Sequence, residues 1–80
     1  MRLDKFLKVS RLIKRRTIAN EACDAGKVSV NGKVARASYD VKVGDEIGIT
    51  FGGKTTTVKV LAVSEVIKAN EASSLYEVIS

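Results

Sequence analysis

The side chains with chemical potential in this sequence are cations. Arg2, Lys5, Lys8, Arg11, Lys14, Arg15 and Arg16 fall within fifteen positions, and Lys27, Lys33 and Arg36 follow. Residues 1–36 carry a net charge of +7 and residues 37–80 a net of −2, so the first part holds the whole excess of this +5 chain. Guanidinium and ammonium groups gathered in this way suit phosphate contacts, where each neutralised phosphate releases counterions. The plain alternative is a solvated charged face. Placement decides between them.

Other chemistry is sparse. There is no His, so the usual general base and the commonest metal ligand are missing. The single Cys23 cannot close an internal disulfide or build a Cys-based zinc site. Flanked by Glu21 and Asp24, it lacks an activating cation in sequence and reads as a packing residue. Asp4 has no visible catalytic partner; it suits the positive start of a helix and can pair with Lys8 at i+4. Gly52-Gly53 lies between strand-like runs and lacks the surroundings of a phosphate loop, so it reads as a turn. No catalysis, metal or cofactor is expected. No apolar run approaches the length of a membrane span, and the charged start does not resemble a signal peptide. A lone thiol then points to a cytoplasmic setting. Eighty residues make one domain, 1–80, whose thin core is poor housing for a deep pocket.

The elements that must position the cations follow from periodicity. Leu3, Phe6 and Leu7 share one helical face, predicting a short amphipathic helix over residues 3–9, with Lys5 and Lys8 on nearly the opposite side. A second helix is expected from about Arg15 to Ala25, with Ile18, Ala22 and Ala25 as its apolar stripe, Ala19 and Cys23 on the flank, and Gly26 as its stop. Leu12 and Ile13 anchor the connection. Val28 and Val30 alternate with polar residues, and Asn31-Gly32 is the strongest two-residue hairpin signal. Residues 37–43 read as irregular to extended, with a turn at Gly44-Asp45. Ile47, Ile49 and Phe51 alternate through a strand, and Thr55–Val63 reads as a long one. Residues 64–74 form a polar connection with a helical turn around Lys68 to Ala72. Leu75–Ile79 is a last strand. The fold class is α+β: two N-terminal helices packed on a small, mostly antiparallel β-sheet.

The second helix is charged against its own dipole. Lys14, Arg15 and Arg16 crowd its positive start, while Glu21 and Asp24 lie toward its negative end. Each misplaced charge costs about 0.3–1 kcal/mol. Free N–H groups beside clustered cations make an anion site, and a polyanion would offset the cost. The hairpin adds Lys27, Lys33 and Arg36, and Asn31 is expected to present its backbone and amide from the turn. Aromatic residues are few. Phe6 and Phe51 take core-facing positions, Tyr76 is half-buried in the last strand, and Tyr39 is the one stacking candidate, though packing suits it better. Folded RNA read through shape and phosphates therefore fits better than single strands on an aromatic platform.

Arg2-Leu3-Asp4, Arg16-Thr17, Gly26-Lys27-Val28, Val30-Asn31-Gly32 and Val43-Gly44-Asp45 stand in an order and spacing that resembles the S4 RNA-binding domain family from Arg2 to Ile47. The resemblance divides the chain into an S4 core, 1–47, and C-terminal strands, 48–80. It implies two helices and a hairpin acting as one RNA-binding unit, the αL motif. One departure is plain: Ala37-Ser38 follow the hairpin where many such domains carry a proline. The resemblance also implies a stand-alone, non-enzymatic, ribosome-associated member. Its partners would be 23S rRNA and peptidyl-tRNA on an obstructed 50S subunit, and it would support C-terminal alanine tailing by a separate tailing factor on the same subunit. It would act as a monomer, away from membranes. The site residues expected to contact RNA are Arg2, Lys5, Lys8, Arg11, Lys14, Arg15, Arg16, Lys27, Asn31, Lys33 and Arg36. Two rival readings are a targeting module working with a separate RNA-modifying enzyme, and an adaptor whose basic face meets an acidic protein.

Overall fold

Seven residues after Arg2 coil into α1, Leu3–Val9, in the computed structural model, which describes residues 1–64 and 69–80. Leu3, Phe6 and Leu7 lose all their exposed surface, as their spacing predicts. Each such burial contributes about 1.5–3 kcal/mol. The helix closes at Ser10, whose hydroxyl donates to the Leu7 carbonyl at 3.2 Å, and Arg11 follows at φ 62°. Ile13 is buried and Leu12 partly so, which anchors the connection to α2, Arg16–Asp24.

The buried face of α2 differs from the expected stripe. Ala19, Ala22 and Cys23 face the core, whereas Ile18 is 44% exposed and Ala25 is exposed. Small side chains let α2 lie close to α1, and Ile18, about 100° around the helix from Ala19, is left on the solvent side. Gly26 ends this stretch at φ 74°, the left-handed conformation that favours glycine.

Among the described residues, five strands form one antiparallel sheet: β1 Val28–Val30, β2 Lys33–Val34, β3 Glu46–Phe51, β4 Lys54–Val60 and β5 Tyr76–Val78, in spatial order β2-β1-β3-β4-β5. β1 and β2 join through Asn31-Gly32, both at positive φ (52° and 84°), the geometry that an Asn-Gly turn supplies. Val30 and Ile47 are Cα partners, as are Ile47 and Val58, so one face of the sheet presents a continuous apolar row to the helices. The core therefore lies between α1, α2 and that face, with Leu75 closing one end. A 3-10 helix, Ala69–Leu75, leads into β5. The expected helical turn falls partly there, and Lys68 lies outside the described residues.

Two strand expectations need correction. β4 ends at Val60, not Val63: Val60 pairs with Tyr76, the first residue of β5, and beyond that pair Leu61 N and Ala62 N both turn to the single Leu75 carbonyl. Phe51 is 43% exposed, not core-facing. It ends β3 beside the Gly52-Gly53 turn.

Residues 37–41 run alongside the chain start. Leu3 N donates to Tyr39 O (2.8 Å), Asp4 N to Ala37 O (3.2 Å) and Val41 N to Met1 O (2.8 Å), and Arg2 and Asp40 form an isolated antiparallel bridge. The Met1 ammonium pairs with the Asp40 carboxylate at 2.7 Å.

Candidate nucleic-acid interface

The first turn of α1 places an acid where the helix meets the core. Asp4 is 2% exposed. Its Oδ1 accepts hydrogen bonds from Arg2 Nε (3.2 Å) and Lys5 N (2.8 Å), and its Oδ2 accepts from Asn20 Nδ2 (3.2 Å) and, at longer range, Arg16 Nε (3.4 Å). This replaces the expected pairing with Lys8. A buried carboxylate needs such partners, because burial alone disfavours its charge. Burial does push the Asp4 carboxyl up, but hydrogen bonds from Arg2, Asn20 and Arg16 outweigh it and hold the group below the usual aspartate value. Asp4 thus ties the start of α1 to the start of α2.

The side chains of Arg2 and Arg16 remain about half exposed, at 51% and 48%. Each reaches Asp4 through Nε, and an arginine carries five N–H donors in a fixed fork. The terminal donors suit bidentate capture of a phosphate. The start of α2 reinforces this. It has no acidic residue in its first turn and no side-chain cap, and Lys14, Arg15 and Arg16 are all exposed there. The N–H groups of a first helical turn have no acceptor within the helix.

An open groove of about 600 Å³ runs between α2 and the chain after β2, and Arg2, Asn20, Cys23, Arg36 and Ser38 line it. It joins a helix cation, Arg2, to a hairpin cation, Arg36. A second groove of about 670 Å³ adjoins the same segment, lined by Asn31, Lys33, Arg36, Ser38 and Tyr39 among others. Arg36 borders both. Lys8, Arg11, Lys14, Arg15 and Lys27 are exposed but line neither groove, and Lys5 is partly buried. Cys23 sits on the floor of the first groove. Burial, followed by the charges of Asp4 and Asp24, pushes its thiol up to about 11, so it stays protonated at neutral pH.

The hairpin base uses its polar groups internally. Asn31 Nδ2 donates to Asp45 Oδ1 (3.1 Å), Glu46 N donates to Asn31 Oδ1 (3.0 Å), and Asn31 N donates to Glu46 O (2.8 Å). Asp45 Oδ2 also accepts from Tyr39 OH (3.0 Å) and Lys42 N (2.9 Å). Burial raises the Asp45 carboxyl, but these donors outweigh it and hold the group below its usual value. The same hydrogen bond pushes the Tyr39 phenol up. Tyr39 is therefore a packing and anchoring residue, and the Asn31 amide fastens the turn to the start of β3. Asn31 Oδ1 and one of its two amide N–H groups are engaged here, which leaves the other N–H and the turn's exposed backbone as the parts that can meet a ligand.

Asp4 and Asn20 were not among the sequence candidates. A signal for Asp4 exists in hindsight: it borders the Leu3–Leu7 stripe, so its carboxylate had to be buried and needed cations. Nothing local marks Asn20, which lies sixteen residues away. Among the described residues no cluster of His, Cys, Asp or Glu is placed to hold a metal, and no helix is long and apolar enough to cross a membrane.

Two helices clasped at their starts and followed by a basic hairpin define the S4 class. The chain belongs to the S4 domain family, whose model matches residues 1–47. It is similar over nearly its whole length to the RQC P-site tRNA stabilizing factor of Halalkalibacterium halodurans, with 60% identity over 98% of this chain and 89% of that protein. The factor of the same name from Bacillus subtilis is 54% identical over 99% of this chain and 92% of its own length. In fold, the chain is similar to the trimeric structure of Vibrio cholerae heat shock protein 15, with a TM-score of 0.91 and 33% identity, covering 100% of this chain and 82% of that one.

Proposed function

We propose that this protein is a non-enzymatic RNA-binding factor. It docks on 23S rRNA and peptidyl-tRNA of an obstructed large ribosomal subunit in the cytoplasm and steadies the tRNA there. It thereby supports C-terminal alanine tailing by a separate factor on the same subunit. The observation that carries this reading is the Asp4 clasp: two half-exposed arginine side chains held at fixed places, one of them lining a groove that Arg36 also lines. Arg2 and Arg16 make the central phosphate contacts. Lys27, Lys33 and Arg36 extend them from the hairpin, and Lys5, Lys8, Lys14 and Arg15 add to the attractive field. Asn31 holds the hairpin at its working angle. The printed name of the two bacterial relatives, a P-site tRNA stabilizing factor, supports the choice of tRNA and ribosome as targets.

Arg16→Ala tests this directly. Co-sedimentation with 50S subunits at several salt concentrations should show binding about tenfold weaker and a salt slope smaller by about one. Unchanged binding across the salt series would remove Arg16 from the interface.

A further inference from the structure

Arg11 stands just past the C-terminal end of α1 with φ at 62°. Among the described residues, Arg11 and Asn31 are the two non-glycine residues in the left-handed region. Asn31 needs no special account, because its residue type tolerates that region and its turn requires it. Arginine has no such tolerance. Its Cβ crowds the backbone there, and helices that end this way use glycine or, less often, asparagine.

The fold gives nothing back for this side chain. The helix end is closed by backbone hydrogen bonds: Ser10 N to Phe6 O (2.9 Å), Arg11 N to Lys8 O (3.1 Å) and Ile13 N to Leu7 O (3.0 Å). A glycine at position 11 would make the same bonds. Arg11 is exposed, and its guanidinium has no hydrogen bond or ion pair among the described residues. A cation near the C-terminal end of a helix is favoured by the dipole. Lys8 already supplies one in the last turn, without an unfavourable backbone. Strain that buys no packing persists where a function uses it.

We propose that Arg11 is a phosphate-contacting residue for folded RNA, kept in a left-handed conformation at the expense of stability because that conformation aims its guanidinium outward from the end of α1. This rests on the RNA-binding reading above and adds to it a contact at the far end of α1. α1 has seven residues and so is about 10 Å long. Arg2 precedes it and Arg11 follows it. The two arginines therefore grip different phosphates, and the Arg11 contact does not depend on the Asp4 clasp. A guanidinium can hold a phosphate bidentately where an ammonium offers a point charge.

Arg11→Gly and Arg11→Lys, compared with the unmodified protein, test the proposal. Thermal unfolding and binding to salt-washed 50S subunits are measured for all three. Arg11→Gly should raise Tm by about 5 °C, weaken binding about tenfold and reduce the salt slope by about one. Arg11→Lys should keep the original Tm and lose about threefold in affinity. If Arg11→Gly binds like the original at every salt concentration while the unmodified protein does bind, the Arg11 contact is wrong and the broader reading stands. If Arg11→Gly is no more stable, the claimed cost does not exist and the proposal falls. If the unmodified protein itself fails to bind subunits, the RNA-binding reading fails and takes this proposal with it.

Discussion

Asp4 and Asp45 are both carboxylates that gather donors from distant parts of the chain, and both are held below the usual aspartate value against the effect of burial. They differ in what they gather. Asp4 takes Nε–H groups from two arginines whose side chains stay half exposed, so each donor retains further N–H groups for an outside acceptor. Asp45 takes an amide, a phenol and a backbone N–H, and its neighbour Asn31 is used on both sides of its amide. The first arrangement orients charge toward a ligand. The second fastens a hairpin to a strand. A carboxylate ringed by donors is thus no guide to function until those donors are examined for what they have left over.

Substitution at the two centres should separate them. The largest effect is expected at Asp4. Asp4→Ala leaves Arg2 and Arg16 without their shared anchor. Binding to 50S subunits should fall more than tenfold, and chemical unfolding should show a loss of about 2 kcal/mol. A variant that is destabilised yet binds as before, at a temperature where it is folded, would erase the distinction between the two aspartates. Asn31→Ala is the mirror experiment. It should cost about 1–2 kcal/mol of stability, because Asp45 and Glu46 N lose partners, while affinity in the folded protein changes by less than about threefold. A tenfold loss of affinity there would return Asn31 to the interface.

The smallest effect is the pH response. Both carboxyls titrate lower in the folded protein than in the unfolded chain. Their contribution is therefore complete above the unfolded value, about 3.9, and is lost as pH falls through the folded values. Denaturation profiles should be flat with respect to these groups from pH 7 to 5 and decline below about pH 4. Asp45→Asn should flatten part of that decline without altering RNA binding at pH 7.

Local rules made much of this legible in advance. The span of α1, the Asn31-Gly32 turn and the alternation of Ile47 and Ile49 each depend on neighbours a few residues apart, where periodicity is informative. The face of α2 is not legible locally, because a hydrophobic pattern favours Ile18, while close approach to α1 selects Ala19, Ala22 and Cys23. Alternation points Phe51 to the core because it cannot show where the helices stop covering the sheet. The cations were visible in sequence, but their grouping was not. Asp4 meets Arg16 and Asn20 across twelve and sixteen residues, and Arg2 meets Arg36 only through the shape of a groove. Asn31 carries a turn signal and an amide together, and only the structure shows that the amide also fastens the turn to Asp45.

The pairing of the chain start with residues 37–41 has a consequence for timing. A nascent chain grows at about 5–20 residues per second. The helices can begin to coil once some 25 residues have emerged, but the partners of Leu3, Asp4 and Met1 lie at Tyr39, Ala37 and Val41. For roughly one to three seconds, then, the backbone of Met1, Leu3 and Asp4 lacks its partners across the loop, and Arg2 has only the Asp4 clasp to hold it. The molecule reaches a gripping shape only when its two ends of this long loop meet, so competence arrives as a late, closing event in synthesis.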